Sequence, residues 1–382
     1  MIGIDAISLY TPRYMLKLEE LARARGIDPL KYSVGLGQNA MSIMPPAEDI
    51  ITMAASAALP LIQNRKQPSL LLFATESGID HSKSAGIWVH KLLNLPSSCR
   101  VLELKQACYS ATGALQLAIP YVKAYPNEEV LIIASDNARY GIGTPGEPTQ
   151  GCGAAAFIVK ANPNLLAIEE GSGLFTDHVM DFWRPNQLDT ALVDGKYSAK
   201  IYLTALDACW KEYAVKTGRS FEDHTRFCYH LPFSKMAEKA HERLSKHASS
   251  PELVAHSLHY TKAVGNSYSA ALYFGIASLL ENDEEDLSQK RIGLFSYGSG
   301  CVAEFFSGVV QPNYKKALRK EAHTSLLSNR CELSCQEYER YFLECGNQNS
   351  ELFNPSECQT GAFRLASIQK YVRHYQPLGC SV

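Results

Sequence analysis

One order of elements occurs twice in this sequence, and it limits the folds open to the chain more than any single motif does. The apolar run Leu70-Leu-Leu-Phe-Ala-Thr-Glu76 leads through a loop into a helical stretch. Cys108-Tyr-Ser-Ala-Thr-Gly-Ala-Leu-Gln-Leu-Ala then begins a second helix, and Val130-Leu-Ile-Ile-Ala-Ser follows as a strand. In the second half Arg226-Phe-Cys-Tyr-His230 leads into a helix, Gly265-Asn-Ser-Tyr-Ser-Ala-Ala-Leu begins another, and Ile292-Gly-Leu-Phe-Ser-Tyr follows. Glu76 stands 32 positions before Cys108, and His230 stands 36 before Asn266. Each half thus presents one polar residue just past a buried strand and another at a helix start rich in small residues. Ligand sites of parallel sheets form outside the carboxyl ends of the strands. A pseudo-twofold arrangement would therefore bring Glu76, Cys108, His230 and Asn266 to one place; the alternative is two unrelated α/β segments sharing a pattern.

Short buried runs alternate with helical periodicity along the whole chain, which argues for α/β. Strands are expected at 1–9, 70–74, 101–104, 130–134, 154–159, 226–230, 292–296 and 302–306. Helices are expected at 47–62, 82–93, 108–124, 201–217, 233–246, 267–280 and 314–325. The stretch 162–164 and the acidic run 281–286 read as surface turns, the latter a solvated face.

Composition narrows the function. With 37 Lys+Arg against 39 Asp+Glu the chain has no general footprint for nucleic acid or an anionic membrane. No apolar run approaches the roughly 20 residues of a membrane span, and the start lacks the features of a signal peptide. Eleven cysteines, an odd number without framework spacing, read as reduced thiols in a cytoplasm. There is no Cys-x-x-Cys, so no metal site is expected; five of the cysteines lie after residue 330, read as a peculiarity of the tail.

Taken singly, the polar residues admit two readings each. Cys108 at a helix start could have its thiolate stabilised by unpaired N–H groups, or could be an inert buried cysteine. Glu76, ending an apolar run, suits proton abstraction if desolvated, or is a plain strand-end acid. His230 precedes Leu231-Pro232, which stops the strand, and a structural histidine is its other reading. Gly298-Ser299-Gly300 lets backbone N–H groups approach a ligand, as an oxyanion hole requires. The Gly- and Pro-dense loop from Tyr140 to Gly151 suits an active-site wall.

At these residues the sequence resembles the 3-hydroxy-3-methylglutaryl-CoA (HMG-CoA) synthases of the thiolase superfamily, in wording like the bacterial type. The resemblance is carried by Ala74-Thr-Glu-Ser77, Gln106-Ala-Cys-Tyr-Ser-Ala-Thr112, Ala134-Ser-Asp-Asn-Ala-Arg-Tyr140 and Gly146-Glu-Pro-Thr-Gln-Gly151. It continues in Asp181-Phe-Trp-Arg-Pro185, Val193-Asp-Gly195, Tyr229-His-Leu-Pro-Phe-Ser-Lys235, Val264-Gly-Asn266 and Ser296-Tyr-Gly-Ser-Gly300. These run in order over roughly residues 1–325. The resemblance implies a thiolase-like α/β fold of two pseudo-twofold related halves in a five-layer αβαβα arrangement. It divides the chain into 1–165, with Glu76 and Cys108, and 166–382, with His230 and Asn266 and a poorly matched tail after about 325.

The same resemblance implies a Claisen-type condensation of acetyl-CoA with acetoacetyl-CoA, in the mevalonate pathway of isoprenoid biosynthesis, with no cofactor and with a cytoplasmic homodimer as the working form. Cys108 matches the acetylated nucleophile, Glu76 the base that deprotonates the acetyl methyl, and His230 the residue that anchors acetoacetyl-CoA. Asn266 matches the polar partner from the second half. Tyr140, Thr149, Phe182 and Ser299 match substrate-pocket positions, Asp136 and Asp181 support them, and Lys235 matches a basic position near the CoA entrance. The backbone N–H groups of Cys108 and Ser299 are the candidate enolate donors. Three other readings stand beside this one: a relative taking its acceptor on an acyl carrier protein, a ketoacyl synthase III-like enzyme, and a silent thiol-ester or redox-binding protein. Glu76 argues against the second, because decarboxylation makes its own carbanion.

Overall fold

The computed structural model describes residues 1–245 and 250–378; the expected helix end at Lys246 and the last cysteine, Cys380, lie outside them. The first half contributes strands β1 (Ile2–Tyr10), β2 (Leu70–Ala74), β3 (Arg100–Leu104), β4 (Val130–Ala138) and β5 (Gly151–Ala161). They lie in the order β3-β2-β4-β5-β1, with β2 parallel to β3 and β4, and β5 antiparallel to β4 and β1. The second half contributes β6 (Leu166–Ile168), β7 (Gly173–Thr176), β8 (Arg226–Tyr229), β9 (Arg291–Gly298) and β10 (Val302–Val310). Here β8 is parallel to β9, β10 is antiparallel to β9, and β6 and β7 both pair with β10. The two orders are the same except at one place. Where the first half has β3, the second has the helical segments Glu252–Ala255 and His259–Val264, and the former packs against β8. A β1–β6 pairing joins the halves into one sheet of ten strands.

Strand periodicity of two divides the core into layers. Leu71, Phe73, Leu131 and Ile133 point to one face, against helices α1 (Ile50–Ile62) and α2 (Ala85–Leu92). Leu70, Leu72, Val130 and Ile132 point to the other, onto α3 (Ser110–Ala124). In the second half Phe227, Tyr229, Phe295 and Phe305 face α4 (Gly195–Thr217) and α5 (Ser234–Leu244). Cys228, Ile292, Leu294 and Phe306 face α6 (Ala271–Asn282), whose side chains share one central cluster with those of α3. The result is helix, sheet, central helix pair, sheet, helix: the expected five layers. No helix among the described residues is long and apolar enough to cross a membrane.

Helix ends moved where caps outrank apolar pattern. The first helix starts at Ile50 rather than 47, because the Asp49 side chain accepts the N–H groups of Ile51 and Thr52 while Thr52 answers the N–H of Asp49. The helix expected at 201–217 begins six residues earlier, capped by Asp194. The expected helix 314–325 is a 3-10 turn, Tyr314–Ala317, followed by α7 (Lys320–Ser328). The acidic run 281–286 is not simply a solvated face. Glu281 is buried inside α6, where it accepts from the Tyr260 hydroxyl, the Arg319 N–H and His323, and Asp283 is paired with Arg226 at 2.6 Å.

The tail is built into the first half. It forms α8 (Cys335–Gly346) and a hairpin of β11 (Phe363–Gln369) and β12 (Val372–Pro377). Arg373 and the Tyr375 hydroxyl both bind the cap residue Asp49. Cys335 and Cys345 are packed core members, so the late cysteines are more than a peculiarity of composition. Glu48, next to the cap residue Asp49, is fully buried: its Oε1 accepts from the Tyr10 hydroxyl (2.6 Å) and the Gly361 N–H of the tail (2.7 Å), and its Oε2 has no hydrogen-bond partner.

Burial lifts the Glu48 carboxyl from 4.5 to about 7. The folded state therefore binds more protons than the unfolded one between those values, and stability falls as pH rises through that window. Glu48→Gln is expected to remove this slope. Urea denaturation should find it no more stable than the parent near pH 5 and more stable near pH 8; an unchanged difference between the two conditions would refute the assignment.

Candidate active site

Glu76 lies two residues past β2, and Cys108 lies two residues before α3, in the loop after β3. Their side chains meet: the Cys108 thiol donates to Glu76 Oε1 at 3.0 Å. Ala107, just before the cysteine, holds a left-handed backbone (φ 44°), a conformation that non-glycine residues adopt rarely. The place of Cys108 before a helix does not lower the pKa of this thiol. Burial pushes the Cys108 pKa up, and the carboxylates of Glu76, Asp136 and Asp181 push it the same way. A helix end offers only a partial charge, too little against desolvation among three acids.

Glu76 is raised to about 8, first by burial and then by the charge of Asp136; its hydrogen bond from Cys108 and the Arg184 guanidinium pull the other way. Arg184 also donates to the Glu76 carbonyl. Asp136, near the end of β4, ties the halves together. One oxygen accepts from the Thr75 hydroxyl (2.7 Å) and from the N–H groups of Glu76 and Ser77. The other accepts from the N–H and hydroxyl of Ser269, in the turn before α6. Both oxygens are thus taken by protein donors, as befits a residue that sets the Glu76 loop.

From the second half, Asn266 is buried with its Oδ1 on the Tyr268 N–H (2.9 Å). It comes this close because Gly151 has no side chain: a Cβ there would stand 2.7 Å from the Asn266 nitrogen. Tyr268 reaches Tyr140, and Phe182 sets its ring edgewise to both, at 5.8 and 6.2 Å. Thr149 donates to the Gly146 carbonyl and reaches the Tyr140 side chain. Gly298 lets the Ser299 loop lie on the nucleophile's loop, since a Cβ would fall 2.5 Å from the Gln106 carbonyl oxygen. Gln106 donates to the Ser299 carbonyl (3.3 Å). Asp181 fixes this loop by accepting from the Gly300 N–H (2.9 Å) and the Tyr297 hydroxyl (2.7 Å).

His230 directly follows β8, the strand beside β9, which leads to Ser299. Burial holds its imidazole at about 3, hence neutral, and its Nδ1 is buried with no hydrogen-bond partner. No hydrogen bond joins its ring to Cys108 or Glu76. Lys235, at the start of α5, is ion-paired with Glu238 (2.7 Å) and partly exposed. An open cleft of about 1300 Å³ runs along the edge of β3 to Glu76, past Ala107, Arg139, Phe182 and Arg184. Among the described residues no three His, Cys, Asp or Glu side chains are grouped as a metal ion would need. Tyr268 and Arg184 join the site without having been expected there, although Arg184 lies within Asp181–Pro185 and Tyr268 two residues past Asn266.

The chain matches two family models in succession: hydroxymethylglutaryl-coenzyme A synthase N terminal over residues 1–164, and hydroxymethylglutaryl-coenzyme A synthase C terminal over 166–253 and 244–356. It is 39% identical to a hydroxymethylglutaryl-CoA synthase of Enterococcus faecalis, over 98% of this chain and 99% of that one. It is 33% identical to the polyketide biosynthesis 3-hydroxy-3-methylglutaryl-ACP synthase PksG of Bacillus subtilis, over 90% and 88%. A crystal structure of an HMG-CoA synthase complexed with CoA superposes with a TM-score of 0.95 at 40% identity, covering 99% of this chain and all of that one.

Proposed function

The chain belongs to the hydroxymethylglutaryl-CoA synthase family and is an acyl-transferring enzyme, and from that premise we propose that it condenses acetyl-CoA with acetoacetyl-CoA through an acetyl group carried on Cys108. The observation that supports this most is the Cys108–Glu76 hydrogen bond, a nucleophile and a base in contact where the two halves meet. Cys108 attacks the acetyl thioester and CoA leaves as the thiol. Glu76 then removes a proton from the acetyl methyl, and the backbone N–H groups of Cys108 and Ser299 hold the enolate oxygen. The carbanion adds to the ketone of acetoacetyl-CoA, which the neutral His230 imidazole anchors by a hydrogen bond. Water finally cleaves the enzyme thioester, giving HMG-CoA and free Cys108. Each step is acid–base or acyl chemistry, so the sequence calls for no metal or nicotinamide.

Acetylation changes the base. The Cys108 thiol lowers the Glu76 pKa by donating to it. A thioester sulfur cannot donate, so forming the acetyl-enzyme strengthens Glu76 at the moment a carbon acid must be deprotonated. A CoA-borne acceptor is favoured over a carrier-borne one by the higher identity and fuller coverage of the Enterococcus enzyme. The product would then enter the mevalonate route, in the cytoplasm. Intact-mass and peptide analysis after acetyl-CoA, then acetoacetyl-CoA, tests the reading. The Cys108 peptide should gain an acetyl group and lose it as HMG-CoA forms. Acetylation that persists points to a carrier-borne acceptor, and none at all overturns the scheme.

The working form on this reading is a homodimer. The outer edge of β3 is unpaired and rims the cleft, with Leu102 half exposed on it and Ile87 nearby. An open edge with apolar side chains is a template for a second strand, and a twofold axis there would extend the sheet across two copies. Leu102→Arg is expected to shift the mass in light scattering from two chains to one; an unchanged dimer would move the interface elsewhere.

A further inference from the structure

Residues 139–150 run from the end of β4 to the start of β5 and carry Tyr140 and Thr149, and α8 of the tail grips this segment at both ends. At one end the Arg139 guanidinium lies 4.0 Å over the Phe342 ring and donates to the Phe342 carbonyl (3.0 Å). At the other, Gln150 accepts the Tyr140 N–H with its Oε1 (2.8 Å) and donates through Nε2 to the Tyr338 hydroxyl (2.7 Å). Tyr338 and Phe342 are four residues apart and so share one helix face. The capping box of Ser334 and Glu337 fixes where that helix begins. The Tyr338 hydroxyl also donates to Glu147 (3.1 Å), a buried carboxylate that accepts two N–H groups of Arg25 (2.9 and 2.7 Å) and the N–H of Gly143 (2.9 Å).

We infer that α8 is the positioning element of the acyl pocket and that Tyr338 is a positioning residue for the condensation, acting through Gln150 on Tyr140. The inference rests on the reading of Cys108, Glu76 and Tyr140 as the acyl site. Without its hydroxyl, Tyr338 leaves a Gln150 N–H and a Glu147 lone pair unmatched in a buried place. Such groups are costly to leave unmade, so the segment shifts to regain partners and carries Tyr140 with it. Displacements of about 1 Å beside reacting atoms are enough to slow a reaction strongly.

The test uses Tyr338→Phe, Gln150→Ala and the double variant of the full chain, with rates of Cys108 acetylation, kcat, KM for acetyl-CoA and thermal denaturation. Tyr338→Phe is expected to lower kcat roughly ten-fold while KM stays within about two-fold, the split expected when positioning rather than binding is lost. Gln150→Ala should do the same, and the double variant should be no slower than the slower single one, because both cut one connection. A parental kcat in Tyr338→Phe overturns the inference, as do losses that multiply in the double variant. If Tyr338→Phe does not fold, Phe342→Leu probes the helix from the Arg139 end: slower acetylation supports the inference and a parental rate overturns it. A parent enzyme that takes no acetyl group on Cys108 overturns the site reading itself, which keeps the two failures apart.

Discussion

Cys108→Ala is expected to take up no acetyl group from acetyl-CoA and to form no product above background. The loss should be total rather than graded, because the substitution removes the only atom to which the acetyl group is proposed to be bound. Ten of the eleven cysteines lie among the described residues, and burial is the main cause that lifts several of them, Cys99 to about 11 and Cys345 to about 12. Such thiols are poor nucleophiles, and neither Cys99 nor Cys345 donates to a carboxylate, their hydrogen bonds going to backbone carbonyls. Cys108 is raised too, yet it has a carboxylate at 3.0 Å to receive its proton as it attacks. Mass spectrometry of the variant decides the matter: an acetyl group retained on any peptide would move the nucleophile to that peptide.

Glu76→Gln should separate the two halves of the reaction. Acyl transfer to Cys108 should persist but more slowly, since the thiol loses the carboxylate that takes its proton, while condensation should fall by the larger factor of roughly 10²–10⁴, the usual worth of a positioned base. The pH profile carries a second signature. Glu76 is raised to about 8 by burial, and acetylation removes the Cys108 hydrogen bond that lowers it. The condensation rate should therefore climb with pH through about 8 or above as the carboxyl gives up its proton, and the Gln variant should lack that limb. Rapid-quench measurement of acetyl-enzyme decay with acetoacetyl-CoA would show it. A variant that condenses at the parental rate would strip Glu76 of its role.

How much of this could be read from the sequence depended on whether the physics was local. Leu70–Ala74 was legible to the residue, since every position is apolar and buried on both faces. The repeat was legible because both halves use the same strand–helix order, and it led to Glu76, Cys108, His230 and Asn266. The first turns of α4 were missed because its early residues are mostly exposed and leave no apolar pattern. Glu281 was misread because its partners Tyr260 and His323 are 21 and 42 positions away. The rise of the Cys108 pKa is hidden for the same reason: the burial that chiefly causes it, and the carboxylates of Glu76, Asp136 and Asp181 that add to it, come from separate segments. The tail is a different case. Ser334-x-x-Glu337 and the apolar spacing of Tyr338, Tyr341, Phe342 and Cys345 announce a capped amphipathic helix, and its pattern was there to be found.

The mismatch between the halves has a consequence for assembly. If two copies pair at β3 as proposed, the sheet is extended there, whereas β8, at its opposite end, has the helical segment Glu252–Ala255 packed against it. A chain with one adhesive end and one blunt end cannot polymerise: two copies joined by their open ends leave only blunt ends outside. On the proposed dimer the missing strand of the second half would act as a chain terminator, and the extended sheet would stop growing at two.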